Sequence, residues 1–149
     1  MNDLQTSAAP ALTIRRTFAA PRARVFAAWT NVEIFRQWFP PEGRLTSVTW
    51  KPREGASYRV AMLVESGEEW AVHGVFSEVR APERLAFTFR WEEDDPALER
   101  ETSVTVELLD RGSETEMIFT QTGLANEASA ANHEKGWNMS FDNLAGTLA

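Results

Sequence analysis

The chain has no cysteine and only two histidines, His73 and His133, among its 149 residues. Without thiols there is no disulfide framework, no thiolate nucleophile and no cysteine-type zinc site, and two imidazoles alone do not complete an ordinary structural metal centre. Long apolar runs are missing too: nothing approaches the ~18 residues of a membrane helix, and Met1 to Ala11 carry neither the basic start nor the apolar stretch of a secretory leader. The expectation is a cytoplasmic protein without membrane insertion, residues 1–11 forming a flexible lead. Positive charge is scarce, since 15 Lys plus Arg against 22 Asp plus Glu leave a net charge of −7, which repels phosphate backbones and argues against nucleic acid. Neither G-x-G-x-x-G nor G-x-x-x-x-G-K occurs, and no serine sits in G-x-S-x-G, so the sequence offers no support for nucleotide use or a serine hydrolase.

What the chain does have is alternation. Leu85, Phe87, Phe89 and Trp91 alternate with Ala86, Thr88 and Arg90, the pattern of an antiparallel strand with one bulky apolar face. The same pattern returns at Val104, Val106 and Leu108 and at Met117, Phe119 and Gln121. Further strands are expected from Leu12 to Phe18, Leu45 to Trp50, Tyr58 to Val64 and Trp70 to Val79, separated by turn material such as Ser66-Gly67 and Asp110-Arg111-Gly112-Ser113. Pro21 suits the first turn of a helix carrying Val25, Phe26 and Trp29, and a second short helix spans Val32 to Trp38 before Pro40 and Pro41. From Glu127 the period becomes helical, with Asn126 as cap and Ala130, Trp137, Phe141, Leu144 and Leu148 on one stripe. Gly136 interrupts that helix, and a close approach of another backbone is the expected reason.

The order is strand, two short helices, six strands and a long helix. About seven antiparallel strands with a wet aromatic face are not stable, and the C-terminal helix is the only sizeable amphipathic element that can cover that face. The chain is therefore expected to be a single α+β domain over residues 12–149, its sheet curled around the last helix with an apolar hollow between them.

Ile14-x-Arg16-x-Phe18-Ala19-Ala20-Pro21, followed by Val25-Phe26-x-x-Trp29-Thr30 and Trp38-Phe39, resembles the opening of bacterial proteins related to the heat-shock protein 90 ATPase activator. Arg53-x-Gly55, Gly74-x-Phe76-x-Glu78-Val79-x-x-Pro82-x-Arg84-Leu85-x-Phe87-Thr88, and Gly136-Trp137 with Leu144-Ala145 look like its remaining blocks, in order. The resemblance implies the START-like or SRPBCC helix-grip fold, shared with Bet v 1 proteins, and a hydrophobic cavity. Relatives of this kind include lipid and hormone binders, polyketide cyclases and a chaperone-activating domain. Lys51, Ala56 and Gln121 depart from the pattern, standing where the family often has an acidic residue, a second glycine and a histidine.

Strand parity and this resemblance together assign the hollow's lining to Trp38, Tyr58, Met62, Phe76, Phe87, Phe89, Trp91, Met117, Phe119, Gln121, Trp137 and Phe141. Tyr58, Gln121 and Trp137 would bring polar handles to it. Parity also places Glu78 with Phe76 on the inner side, where burial would suit an acid or base, although a salt bridge to Arg84 or Arg59 is its expected structural use; His133 shares a helix face with Trp137. His73 should point outward if Trp70 and Phe76 face in. Glu68-Glu69, Glu92-Glu93 and Asp94-Asp95 read as solvated turn charge. The function expected is binding of a small hydrophobic or aromatic molecule, with no cofactor, no metal and no assigned catalytic residue, by a monomer or an edge-paired homodimer. Two alternatives stand beside it: an interaction module that stimulates a chaperone ATPase, and a cofactor-free cyclase or isomerase using Glu78 or His133.

Overall fold

A computed structural model describes residues 10–95 and 98–149 of the chain. Most of the expected lead, and Pro96 of the acidic loop, lie outside them. The elements follow the expected order: β1 (Ala11–Phe18), α1 (Arg22–Thr30), α2 (Val32–Trp38), β2 (Arg44–Thr49), β3 (Ser57–Leu63), β4 (Glu69–Arg80), β5 (Arg84–Trp91), β6 (Thr102–Arg111), β7 (Glu114–Thr122) and α3 (Glu127–Leu148). The strands form one antiparallel seven-stranded sheet in the order β1-β7-β6-β5-β4-β3-β2, curved around α3 as a helix-grip fold. Ala11, assigned above to the lead, is instead the first residue of β1, paired with Thr122.

Local chemistry sets the joints. Asn31 ends α1 by donating its N–H to the Ala27 carbonyl (2.8 Å) and begins α2 by accepting the Glu33 N–H on its side chain (2.9 Å). At the β6–β7 hairpin Gly112 has φ 77°, a left-handed conformation that a side chain disfavours, and its N–H is held by the Asp110 carboxylate at 2.9 Å. Asn126 caps α3 by accepting from the Ser129 N–H at 2.8 Å.

Between Phe76 and Glu78 the β4–β5 register slips by a bulge, so Phe76 faces Phe87 while Glu78 faces Ala86. A bulge inverts parity beyond it. Glu78 is therefore not beside Phe76 on the inner face, which corrects its expected placement as an acid or base in the hollow. Its carboxylate lies on the convex side, 2.7 Å from Arg84 Nε and 3.5 Å from Arg80. His73 points outward as expected, with Nδ1 3.3 Å from the Glu92 carboxylate.

The interior is filled with rings. Helices α1 and α2 insert Trp29, Phe35 and Trp38 between sheet and α3, and Trp50 stacks on Phe35 with centroids 4.0 Å apart. The Trp50 indole donates to the Trp29 carbonyl at 2.6 Å and that of Trp38 to the Ala28 carbonyl at 2.9 Å. Tyr58 crosses Gly74 and donates its hydroxyl to the Thr88 carbonyl at 2.6 Å, and burial pushes its phenol well above the usual value. Gly74 has to be glycine here, because a Cβ would collide with that same carbonyl and with the Tyr58 ring.

Trp38, Tyr58, Phe76, Phe87, Met117, Phe119 and Phe141 therefore pack against one another in this core instead of lining an open hollow. Alternation along the strands indicates which face they occupy, but not that α1 and α2 fill the space in front of them.

Phe87→Ala is expected to cost about 3–5 kcal/mol, because its ring touches those of Trp29, Trp50, Tyr58 and Phe76 with little room to collapse. Urea unfolding would show this as a lower midpoint at an unchanged m-value, whereas a loss below about 1 kcal/mol would contradict a filled interior.

Candidate functional site

The site is created by how α3 is fastened. At its middle, the Trp137 indole N–H donates to Gln121 Oε1 at 2.9 Å, Gln121 Nε2 donates to Thr102 Oγ1 at 2.9 Å, and that hydroxyl donates to the Phe89 carbonyl at 2.7 Å. Towards the C-terminus, Ser140 donates to the Phe39 carbonyl at 2.7 Å, Asn143 to the Pro40 carbonyl at 3.1 Å, and Asp142 pairs with Arg16 at 2.9 Å. All of these anchors lie at or beyond Trp137. In the half from Glu127 to Gly136, Ala130 alone is buried. That half stands off the sheet.

Beneath it lies a cavity of about 410 Å³. Met62 of β3, Trp70 of β4, and Phe89 and Trp91 of β5 form the sheet side, Asn132, His133, Gly136, Trp137 and Ser140 the helix side, and Phe39 and Pro41 one end. Glu69, Glu92 and Glu93 complete the rim. Pairing explains the ring placement: Met62 is opposite Trp70 and Val72 opposite Trp91, so the two indoles meet edge to face at 6.1 Å. Trp70 remains 47% exposed at the mouth.

Gly136 corrects another expectation. A Cβ there would meet nothing within 4 Å, so no backbone of another element approaches it; Gly136 borders the open space of the cavity on the helix side.

His133 is at the cavity, as expected. Its Nε2 accepts the Trp91 indole N–H at 3.1 Å and its Nδ1 lies 2.8 Å from the Ser129 carbonyl. With Nε2 accepting, the proton is assigned to Nδ1, which donates to that carbonyl. The ring thus ties β5 to α3, and no carboxylate touches it to form an acid–base pair among the described residues. Glu92 turns its carboxylate to Arg59, at 2.6 and 2.9 Å, and to His73. The hydrogen bond from Arg59 holds it below the usual carboxylate value. Glu69 accepts from the Thr46 hydroxyl at 2.7 Å.

Of the lining expected from sequence, Met62, Phe89, Trp91 and Trp137 are on the cavity wall. Gln121 is buried behind Trp137 with both ends of its amide engaged, so neither it nor Tyr58 offers a free polar handle. Phe39, Pro41, Trp70, Asn132, Gly136 and Ser140 were missed. The helical members were detectable in principle, since 133, 136, 137 and 140 share one face at three- and four-residue spacing.

Residues 19–149 match the model of the Activator of Hsp90 ATPase homolog 1-like protein family. The chain belongs to this family. Its superfamily is START/SRPBCC, as the sequence resemblance implies. Among solved structures, the AHSA1 protein of Silicibacter pomeroyi is similar at 25% identity with a TM-score of 0.86, over 93% of this chain and 97% of that one. A protein from Chromobacterium violaceum shares the fold at 24% identity and a TM-score of 0.83, over 93% of this chain and 96% of that one. One from Arthrobacter aurescens does so at 22% identity and a TM-score of 0.83, over 94% and 86%. No curated protein matches the chain significantly. Among the described residues no helix is long and apolar enough to cross a membrane.

Because the Glu92 carboxylate titrates lower in the folded chain than the ordinary 4.5, the folded state binds fewer protons there. Its stabilising contribution is present above that value and disappears as pH falls through the depressed one. Glu92→Gln is expected to flatten the fall in urea midpoint from about pH 6 to about pH 3. An acid limb identical to that of the unmodified protein would contradict the assignment.

Proposed function

We propose that this family member binds a small hydrophobic or aromatic molecule in the cavity under the N-terminal half of α3. The observation that carries the reading is Gly136, a residue that costs a helix about 1 kcal/mol relative to Ala, placed where its lack of a side chain leaves open space beside indole and phenyl rings. A volume of about 410 Å³ falls within the roughly 300–1,000 Å³ of small-molecule sites. Met62, Phe89, Trp91 and Trp137 supply apolar contact, and Trp70 can close over an occupant from the rim. If a ligand loses about 300 Å² of apolar surface, the gain of roughly 7 kcal/mol is offset by an association cost of at least about 4. Shape alone gives weak binding, so polar groups at the mouth decide selectivity.

Acid–base catalysis draws less support, since Glu78 lies on the convex face and both nitrogens of His133 have partners. The chaperone-activating alternative rests on the family's description and on no surface feature described above.

The neutral fluorophore N-phenyl-1-naphthylamine tests the reading. It is expected to bind saturably to the unmodified protein, and Gly136→Trp, which places a ring in the cavity, to weaken it at least about tenfold without lowering the melting temperature. Gly136→Ala should retain binding and gain about 1 kcal/mol of stability. Equal binding by Gly136→Trp and the unmodified protein would overturn the site.

A further inference from the structure

We infer that the cavity selects a hydrophobic cation: an amine whose apolar body lies against Phe89, Trp91 and Trp137 and whose ammonium group stays at the mouth, between the Trp70 ring and the Glu93 carboxylate. The inference rests on the cavity reading above and deepens it from three independent observations.

The first is charge. Three glutamates and no lysine or arginine line the cavity. The Glu92 carboxylate is matched by Arg59 and that of Glu69 is hydrogen-bonded to Thr46, while that of Glu93 has neither a salt bridge nor a hydrogen bond among the described residues. Glu93 is exposed at the rim, so its carboxylate is free to meet a cation there, and the chain's net charge of −7 adds long-range attraction of the same sign.

The second is the state of the donors. The indole N–H groups of Trp91 and Trp137 and the Ser140 hydroxyl are held by His133, Gln121 and the Phe39 carbonyl, and the Nδ1 proton of His133 points to Ser129. Only neutral donors, the Trp70 indole and the Asn132 amide, remain for a carboxylate or phosphate head group. An anion would meet a like charge with no cation to hold it.

The third is the rim itself. Trp70 is 47% exposed and lines the cavity, so part of its indole ring is open to an occupant at the mouth. Indole is the best aromatic partner for an ammonium group, and one within about 6 Å of the ring centroid is attracted by its quadrupole.

The test uses one ring system with three head groups: 1-naphthylmethylamine, 1-naphthylmethanol and 1-naphthylacetate, each competing against N-phenyl-1-naphthylamine at neutral pH and low salt. The amine is expected to displace the fluorophore at a concentration at least about fivefold lower than the alcohol, and the carboxylate to be the weakest. In Glu93→Gln the advantage of the amine over the alcohol should fall by at least about twofold, and raised salt should shrink it in the unmodified protein. Glu69→Gln, whose carboxylate already has a partner, should matter less. Equal potency of amine and alcohol, or a tightest-binding carboxylate, overturns the cation preference while leaving the cavity reading standing. An unchanged advantage in Glu93→Gln overturns the assigned anchor. Failure of the fluorophore and all three competitors to bind removes both readings together.

Discussion

The run of hydrogen bonds from the Trp137 indole through Gln121 and Thr102 to the Phe89 carbonyl is the fastening on which the rest of the structure depends. Every member is buried, and each polar group is paired where an unpaired one would cost about 1–3 kcal/mol. The run fixes one point of α3 against β5, β6 and β7 at once. From that point the helix is held down towards its C-terminus by Ser140, Asn143 and Asp142, while towards its N-terminus it is held chiefly by the His133–Trp91 contact. A helix fastened over one half and lifted over the other produces a closed core and an open cavity in the same layer.

This division explains why aromatic residues of one chemical type have two roles. Trp29, Trp38 and Trp50 face Phe35, Phe87 and Phe119 in a packed cluster, where their rings contribute cohesion. Trp70 and Trp91 come from the paired strands β4 and β5 and Trp137 from α3, and all three border the cavity. The acidic rim is divided in the same way. Glu92 serves the convex surface through Arg59 and His73, and Glu93, one residue further, is exposed at the cavity rim.

Much of this could be read from the sequence. The alternation of Leu85, Phe87, Phe89 and Trp91 places those side chains on the concave face because a strand repeats every two residues, and the stripe from Ala130 to Leu148 places the helix over them. Parity failed at Glu78, because a bulge inserts one residue and nothing in Phe76-Ser77-Glu78 marks it. Depth was not legible either. Whether Phe76 or Phe119 borders a void depends on how far Trp29, Phe35 and Trp38 reach in from another part of the chain, and that is a property of helix docking angles. The sequence around Gly136 is equally compatible with a tight crossing, because glycine in a helix serves close packing and open space alike and only the surroundings distinguish them.

The central claim is that accessible space exists at the mouth and is absent from the core. The six tryptophans report on it directly, since each indole N–H gives its own signal in a ¹⁵N-labelled sample. Titration with the neutral 1-naphthylmethanol should move the Trp70, Trp91 and Trp137 signals along one saturable curve and leave Trp29, Trp38 and Trp50 in place. Movement of the second set on the same curve, or no movement of the first, would contradict the account.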